Sequence, residues 1–579
     1  MSFSPRAGEA PIQAARIHPQ FRIDSSVRVA YLHYMRRGYP LLVASLLLAW
    51  VGGQDLAHPE NVPSGSDSID RLIDLRLQKA GSVPSPMADD SEFLRRVTLD
   101  LTGMIPTVEE TLAFLSSQEP QKRRRRIDEL LERESYGKYC ATIWRELIAP
   151  PDTSRAKGGS DPFTPWLARQ FTLNRPWNEL VGDLLTAEGK IRENPQSGFI
   201  LANSLNFDPQ PELLADSTAR LFWGLQLRCA ECHDHPFAPW TQADFWGIAA
   251  FFSRLRKGYT DGKNPNGYSF TEAAPDDPIS QKLWKSPAPA GVAGPAIVVS
   301  AMARKAAGTV IRGRFLGQDG PSWKDEGPFR ERFARWATGP DHPYFVRNAV
   351  NRIWAHFFGR GLVHPLDSLG PGVAGSHPEV LELLSKEFKD SNQDRKYLIR
   401  LICNSRTYQR TSRAGAKDEK DASLLGRMPV KNLRPEALYD SLSLVLYPPM
   451  RKPGKDGTPA PLAPGLIPEV ARDEFVAFFA LQESREAGSI VNQGIPQFLR
   501  LMNAPLLNRE TPGLSRFRTE GTSPGKVIES LFLAAYSRKP SPEEARQMET
   551  YASGSGETGK GYAGILWAIL NSSEFALNH

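Results

Sequence analysis

The chain has 579 residues, a net charge of +6 and a pI near 9.0. This length exceeds what one hydrophobic core usually organises, so two domains are expected. Apolar residues make up 40% and charged residues 23% of the chain, which excludes an intrinsically disordered protein. Basic and acidic residues are interleaved, so the small positive excess does not indicate nucleic-acid binding. Four cysteines are too few for a disulfide framework.

A basic segment followed by a short apolar run predicts an export signal. Arg36 and Arg37 precede the apolar residues 41–51, and Gly52 and Gly53 follow as small residues near a cleavage point. The run is shorter than a bilayer span, so no stable transmembrane span is expected. We therefore predict that the protein is exported to the periplasm or the cell surface. In this interpretation residues 1–34 are an extension or a misassigned start, 35–53 the signal peptide and 54–68 a linker.

Hydrophobic spacing predicts a mainly α fold. Apolar residues recur at helical intervals from Ile69 onward, and Thr107 and Glu110 form a capping-box pattern at a helix start. Residues 257–325 instead read as an irregular connector rich in Gly and Pro, with short strands near 296–300 and 309–311. We predict two helical domains, 69–256 and 326–579, joined by this connector with its small β element.

The most specific chemical signal is the C-x-x-C-H sequence formed by Cys229, Cys232 and His233. A c-type haem needs two thiols for its two vinyl groups and an adjacent histidine for its iron. The pattern therefore predicts covalent haem with His233 as the proximal ligand. A sixth ligand would come from elsewhere in the chain, and His356 is the best candidate, ahead of His377 and Met502. A vacant sixth position would instead suit small-ligand binding.

Other interpretations of the same cysteines stay open. Zinc is one alternative, held by Cys229 and Cys232 together with His235 or His233, although adjacent Cys232 and His233 rarely bind one metal. A local redox disulfide between the two thiols is a second. In a third, the cluster is a structural corner that ends a helix.

The helical stretch around His356 has a separate chemical signal. Asn351, Arg352 and Trp354 are most simply a packing and capping network. Arg352 is also a candidate for binding an anionic group such as a haem propionate.

Several longer segments resemble two families found together in exported planctomycete proteins. The first is a cytochrome-c-like domain of unknown function, and the second is the planctomycete-specific domain that commonly follows it. The resemblance is carried by residues 93–103, 229–237 and 240–245 for the first domain, and by residues 350–363, 376–379, 405–409 and 433–438 for the second. It implies the two-domain layout and export, and it supports haem through the family's name and motif.

These observations together predict an exported protein that binds c-type haem and acts in extracytoplasmic redox chemistry or electron transfer. Its partner would be a redox protein or a component of the cell envelope. The alternative is an envelope interaction protein in which the cysteine–histidine cluster is structural or binds zinc. The sequence has no nucleophile elbow, phosphate-binding loop or dinucleotide fingerprint, so no enzymatic activity is assigned.

Overall fold

The computed structural model describes residues 64–149, 162–259, 268–272, 294–299, 309–318, 328–413, 422–448, 467, 470–480, 495–504, 507, 509–555 and 558–579. All of these belong to one unit, Val62–His579. The predicted N-terminal extension and signal peptide, and most of the predicted linker, lie outside the described residues. In the described part of the chain, no helix combines the length and the apolar character needed to cross a membrane.

The fold is mainly α, which confirms the prediction from hydrophobic spacing. The helices before the connector are α1 (Ser64–Ala80), α2 (Asp90–Thr102), α3 (Val108–Ser116), α4 (Lys122–Leu131), α5 (Glu134–Ile148), α6 (Phe163–Thr172), α7 (Trp177–Thr186), α8 (Gly198–Ala202), α9 (Pro211–Thr218) and α10 (Gln242–Ala249). A π-helical turn, Ala219–Trp223, continues α9, and a 3₁₀ turn, Arg228–Glu231, follows it.

The helices after the connector are shorter on average and run to the end of the chain. They are α11 (Phe329–Ala337), α12 (Phe345–Phe358), α13 (Pro378–Asp390), α14 (Arg395–Asn404), α15 (Arg406–Gln409), α16 (Pro435–Leu446), α17 (Arg472–Ala480), α18 (Ile495–Met502), α19 (Pro512–Phe517), α20 (Pro524–Tyr536), α21 (Pro542–Gly554), α22 (Thr558–Leu570) and α23 (Ser573–Ala576).

The strands are short, and those of the described residues pair antiparallel. They are β1 (Gly189–Lys190), β2 (Ser204–Leu205), β3 (Asp208–Pro209), β4 (Leu255–Tyr259), β5 (Tyr268–Glu272), β6 (Ala296–Val298), β7 (Val310–Arg312), β8 (Lys431–Asn432) and β9 (Leu577–Asn578). The order β1–β5–β4 forms a three-stranded sheet, and the others form pairs. The pair β6–β7, with Ile297 opposite Ile311, confirms the small β element predicted in the connector.

Local sequence signals fix several helix ends where they were predicted. Thr107 and Glu110 form the expected capping box at α3, and Gly103 ends α2 in a left-handed conformation with φ of 67°. The first helix begins earlier than predicted. It starts at Ser64, inside the predicted linker, because Ser66 is buried and donates a 2.9 Å hydrogen bond to the carbonyl of Leu401.

Two hydrophobic cores organise the described residues. The first includes Phe93 on α2, Trp223 and Trp354, so it draws on helices from both sides of the connector. The second is built mainly by α16 to α23, with Leu99 and Ile105 contributed from the N-terminal half. Helix α2 is buried around its circumference, since it packs into both cores. The predicted division into domains at residues 257–325 stays a prediction.

Candidate functional site

The C-x-x-C-H segment follows an irregular helix end. The π-helical turn Ala219–Trp223 stops at Gly224, whose φ of 68° is left-handed. The carbonyl of Gly224 accepts a 2.9 Å hydrogen bond from the amide of Leu369, and Leu225 forms an isolated bridge with Ser368. These bonds tie the chain, just before the first cysteine, to the segment that follows α12.

The two thiols lie on a single tight turn. Cys229 is inside the 3₁₀ turn Arg228–Glu231, and Cys232 comes directly after it. Side chains three residues apart eclipse each other in 3₁₀ geometry, so both thiols are on one side of the turn. Cys229 is exposed, Cys232 is half-buried, and both are free thiols. The turn itself is anchored by the indole of Trp246, which donates a 3.0 Å hydrogen bond to the carbonyl of Glu231.

The residues after His233 build the next turn. A carboxylate oxygen of Asp234 accepts a 2.9 Å hydrogen bond from the amide of Gln242, at the start of α10. The amide of His235 donates to the carbonyl of Trp240 at 2.8 Å, and the ring Nδ1 of His235 accepts from the amide of Phe237 at 3.1 Å. Trp240 is buried, whereas the side chain of Phe237 is 94% exposed. Asp234, His235 and Trp240 thus hold a turn that presents Phe237 to solvent.

Hydrogen bonds distinguish the ring nitrogens of the two histidines. The Nδ1 of His233 lies 2.8 Å from the carbonyl of Asp234, and since a carbonyl only accepts, this nitrogen carries the proton. The Nε2 of His233 therefore has the free lone pair that a metal ligand needs. In His235 the Nδ1 lone pair is used by the amide of Phe237, so the neutral ring carries its proton on Nε2. His233 is the better metal ligand of the two.

Carboxylates flank the thiol turn. Burial raises the pKa of Glu231, and the neighbouring Glu212 and Asp216 raise it further, against the opposing effect of Arg228. Burial likewise raises the pKa of Asp216. Arg228, which is exposed, lies 3.6 Å from Asp216 and 3.7 Å from Glu231. The side of the turn that carries these groups is therefore acidic, with one arginine between the carboxylates.

The predicted metal ligands do not form a closed cluster. Across the part of the chain that the structure describes, His, Cys, Asp and Glu side chains do not gather in threes in an arrangement able to hold a metal ion. A tetrahedral zinc site needs such convergence. Haem c does not, because its thiols bond to carbon and only the histidine binds iron.

The structure does not bring His356 to the thiol turn. The Nε2 of His356 lies 2.7 Å from the carbonyl of Asp100. This nitrogen therefore carries a proton and has no lone pair for iron. Burial lowers the pKa of His356, and Lys431 adds to the effect. The other proposed residues lie elsewhere as well: His377 is buried at the start of α13, and Met502 ends α18.

Arg352 is held in place by two partners within the protein. Its Nη2 donates to the carbonyl of Arg220 at 2.6 Å and pairs with the carboxylate of Asp367, and both Arg352 and Asp367 are buried. Asn351 exchanges two 2.9 Å hydrogen bonds with the backbone of Val363. The predicted packing network on α12 is confirmed, and through Arg220 it supports the π-helical turn that leads to the cysteines.

Arg352 and His356 both line a cavity of about 150 Å³ where the two cores meet. Sequence reasoning missed four other polar residues there: Tyr139, Lys431, Asn432 and Asn578. The amine of Lys431 and the amide of Asn578 donate to one oxygen of Asp100 at 2.6 and 2.8 Å. No local signal could have revealed Lys431 and Asn578, since they are hundreds of residues apart in sequence from Asp100.

The remaining cysteines are not cross-linked. Cys140 and Cys403 are free thiols, and Cys403 is fully buried. Cys140 is half-buried, and burial raises the pKa of its thiol to about 11.

No curated protein matches the sequence significantly, and no solved structure matches the fold significantly. Two family models match the chain. Residues 68–257 match PSCyt2, a protein of unknown function (DUF1549), and residues 329–461 match PSD1, a protein of unknown function (DUF1553). The chain thus carries, in this order, regions similar to two families of unknown function, the first of which contains the C-x-x-C-H segment.

Proposed function

We propose that Cys229 and Cys232 hold a c-type haem covalently, that His233 binds its iron, and that the protein transfers electrons outside the cytoplasm. When bound, the haem would supply a one-electron redox centre. Attachment adds each thiol across one vinyl group: a sulfur–carbon bond forms, and the thiol hydrogen moves to the other vinyl carbon. This addition needs no separate oxidant.

Different residues of the segment hold its turns and offer the atoms that haem would use, and this separation supports the proposal. The residues that shape the two turns are Asp234, His235, Trp240 and Trp246. The atoms that haem c requires are different ones, namely the two thiols and the Nε2 of His233. Both thiols are free, and Cys229 and His233 are exposed. A purely structural corner has no need of an exposed thiol and an exposed imidazole beside each other. In the part of the chain that the structure describes, no three possible metal ligands converge, which favours haem over zinc as the occupant.

The position of His356 bears on which residues would bind the iron of the proposed haem. Because His356 donates to Asp100 and lines a cavity that does not include the thiol turn, the proposal no longer includes it as the sixth ligand and retains His233 as the iron ligand. Because the segment is exposed, the proposed haem would lie at the surface. A haem at the surface would be accessible to a redox partner or to a small ligand.

The test is covalent haem on the whole chain. We would express the chain in a host that matures c-type haem, and record a haem stain on a denaturing gel and a pyridine haemochrome spectrum. The double variant Cys229→Ser/Cys232→Ser should lose both signals, while Cys140→Ser, which removes a thiol elsewhere, should keep them. Folded wild-type protein without a covalent haem band would overturn the proposal.

The two histidines provide a sharper comparison. His233→Ala should change the absorption spectrum of any attached haem in the native protein, without pyridine, because it removes the ring nitrogen available to iron. His235→Asn should not, since the asparagine oxygen can still accept the hydrogen bond from the amide of Phe237. Equal spectra for the two variants would contradict His233 as the iron ligand.

A second candidate function is an interaction module of the cell envelope. The exposed ring of Phe237 favours it, because aromatic side chains this exposed are enriched where proteins bind partners. Haem-free wild-type protein that binds isolated envelope material, with loss of binding in Phe237→Ser, would support this function in place of the first.

A further inference from the structure

The cavity at the junction of the two cores lies apart from the thiol turn, and it is built from distant parts of the chain. Helix α2 contributes Asp100, α5 contributes Tyr139, α12 contributes Arg352, and the chain near β8 contributes Lys431 and Arg434. Three of the segments that carry the family resemblance, residues 93–103, 350–363 and 433–438, all reach this cavity. Neither cysteine of the C-x-x-C-H segment lines it, nor does His233.

The charged groups that line the cavity are mainly cationic. Arg352, Lys431 and Arg434 line it, against the single carboxylate of Asp100. The partner carboxylates of the two arginines, Asp367 and Glu146, are not among the lining residues. Among the described lining residues the cations Arg352, Lys431 and Arg434 therefore outnumber the carboxylate of Asp100, although each cation is also paired with a carboxylate. Ile143 and Leu147 of α5 form an apolar wall of the cavity.

Lining residues also carry polar atoms whose hydrogen-bonding capacity is unused. Within the described part of the chain, no hydrogen-bond partner reaches the buried Nε of Arg352, the buried Nε of Arg434 or the buried Oδ1 of Asn578. Arg352 and Asn578 are each more than nine-tenths buried. Buried polar atoms without partners are uncommon in folded proteins and mark places where a water, an ion or a ligand completes the network. Both donors and an acceptor are available here.

We propose that this cavity binds a small oxyanion-bearing molecule, a carboxylate or a phosphate, through Arg352 and Arg434. Each guanidinium pairs with its protein carboxylate through Nη2, and its buried Nε has no partner among the described residues, so a second anion can accept a hydrogen bond from Nε. Lys431 and the apolar wall of α5 confine the ligand to a small molecule. The site is distinct from the proposed haem site, and it requires no haem to be present.

The test is calorimetric titration of the full chain with inorganic phosphate and, separately, with acetate, at constant ionic strength. We expect saturable binding of at least one anion below about 10 mM, and which anion binds identifies the ligand class. Ile143→Trp, which fills the cavity, should weaken binding at least tenfold. Leu75→Trp is the matched control, because Leu75 is exposed on α1 and the same bulky substitution there should leave binding unchanged.

A second variant tests anion binding without filling the cavity. Arg434 is partly exposed and pairs with Glu146, so Arg434→Gln should fold and should also weaken binding at least tenfold. Absence of saturable binding by both anions would overturn the proposal, as would wild-type affinity in both Ile143→Trp and Arg434→Gln. The Cys229→Ser/Cys232→Ser variant should bind the anion normally, which separates this site from the haem proposal.

Discussion

The amine of Lys431 lies 2.6 Å from a carboxylate oxygen of Asp100 and also donates to the carbonyls of His356 and Phe357, at 2.9 and 2.7 Å. All three ammonium hydrogens are therefore used. Two of the acceptors belong to the last turn of α12, where a positive charge is favourable because helix carbonyls are unpaired there. The second oxygen of Asp100 accepts from the hydroxyl of Tyr408 at 2.8 Å. One ion pair thus joins α2, α12 and β8.

Lys431→Met should destabilise the protein strongly. It leaves the carboxylate of Asp100 buried without its cation, which typically costs about 3–5 kcal/mol in the free energy of unfolding. Urea-induced unfolding, followed by far-UV circular dichroism, measures the loss. Lys386→Met is the control, because Lys386 pairs with Asp390 in full contact with solvent, and it should leave stability nearly unchanged. Equal midpoints for the two variants would contradict the importance of the buried pair.

Acid should destabilise the fold through His342. Its Nδ1 accepts from the amide of Phe345 at 3.2 Å, its ring stacks on Trp223, and burial lowers its pKa to about 3. A histidine in the unfolded chain has a pKa of about 6.5 and takes up a proton below that pH, whereas buried His342 stays neutral. The free energy of unfolding therefore decreases as the pH falls from 6.5 toward 3. Between pH 7 and pH 5 the expected loss is about 2 kcal/mol.

His342→Asn isolates this effect, because the asparagine oxygen can still accept from the amide of Phe345 but does not titrate. Urea unfolding of both proteins at pH 7 and pH 5 gives the comparison. The stability of the wild type should fall more than that of the variant, by about 2 kcal/mol. Any common change, such as the titration of His579, whose pKa burial lowers to about 4, cancels in the difference. Parallel losses in the two proteins would exclude His342 as the source.

Gly224→Ala should destabilise the end of the π-helical turn. The residue has a φ of 68°, and a β-carbon there would lie 2.6 Å from Oδ1 of Asn348 and 2.7 Å from Cδ1 of Leu369. The left-handed conformation and the close contacts together should cost about 2–4 kcal/mol. Gly182→Ala, inside α7 with open space around it, should instead stabilise by about 0.5–1 kcal/mol. Thermal unfolding of both variants should therefore move in opposite directions, and a shared direction would contradict this account.

Phe237 and Trp240 should respond very differently to truncation, although they are three residues apart. Phe237→Ser should change the free energy of unfolding by less than about 0.5 kcal/mol, because the side chain is 94% exposed. Trp240→Ala should cost about 3–5 kcal/mol, because this ring is 7% exposed and packs edge-on against Tyr344. Urea unfolding checks both. Comparable decreases in the free energy of unfolding for the two variants would contradict the exposure of Phe237.

Local physics made much of the fold predictable from the sequence. The capping box at Thr107 and Glu110 depends on neighbouring residues alone, and it was confirmed. The start of α1 at Ser64 was missed because it depends on Leu401, far away in the chain. Helix α4 begins at Lys122, at the start of a run of five basic residues that also depends on the local sequence alone.

The candidate site was predictable only where its residues are contiguous. Cys229, Cys232 and His233 follow from the motif itself. His356 was proposed by chemistry, since histidine binds iron, but its position depends on packing, and the fold directs it to Asp100. The pairing of Asp100 with Lys431 was also not foreseen, because Arg95 and Arg96 are the cations nearest to Asp100 in the sequence. Arg96 pairs with Glu92 one turn away, and Arg95 donates to the carbonyls of Ala535 and Phe575.

The π-helical turn Ala219–Trp223 has a consequence for how the chain can vary. A π turn holds one residue more than an α turn, and each residue of an α-helix advances the chain by about 100° around its axis. Removing a single residue from this stretch would convert the π turn into an α turn with the same rotation about the axis, so the chain beyond it would keep its orientation. The same deletion in a regular α turn would rotate everything beyond it by about 100°. The loss of one residue should therefore disturb the cysteine pair least when it falls within this π turn.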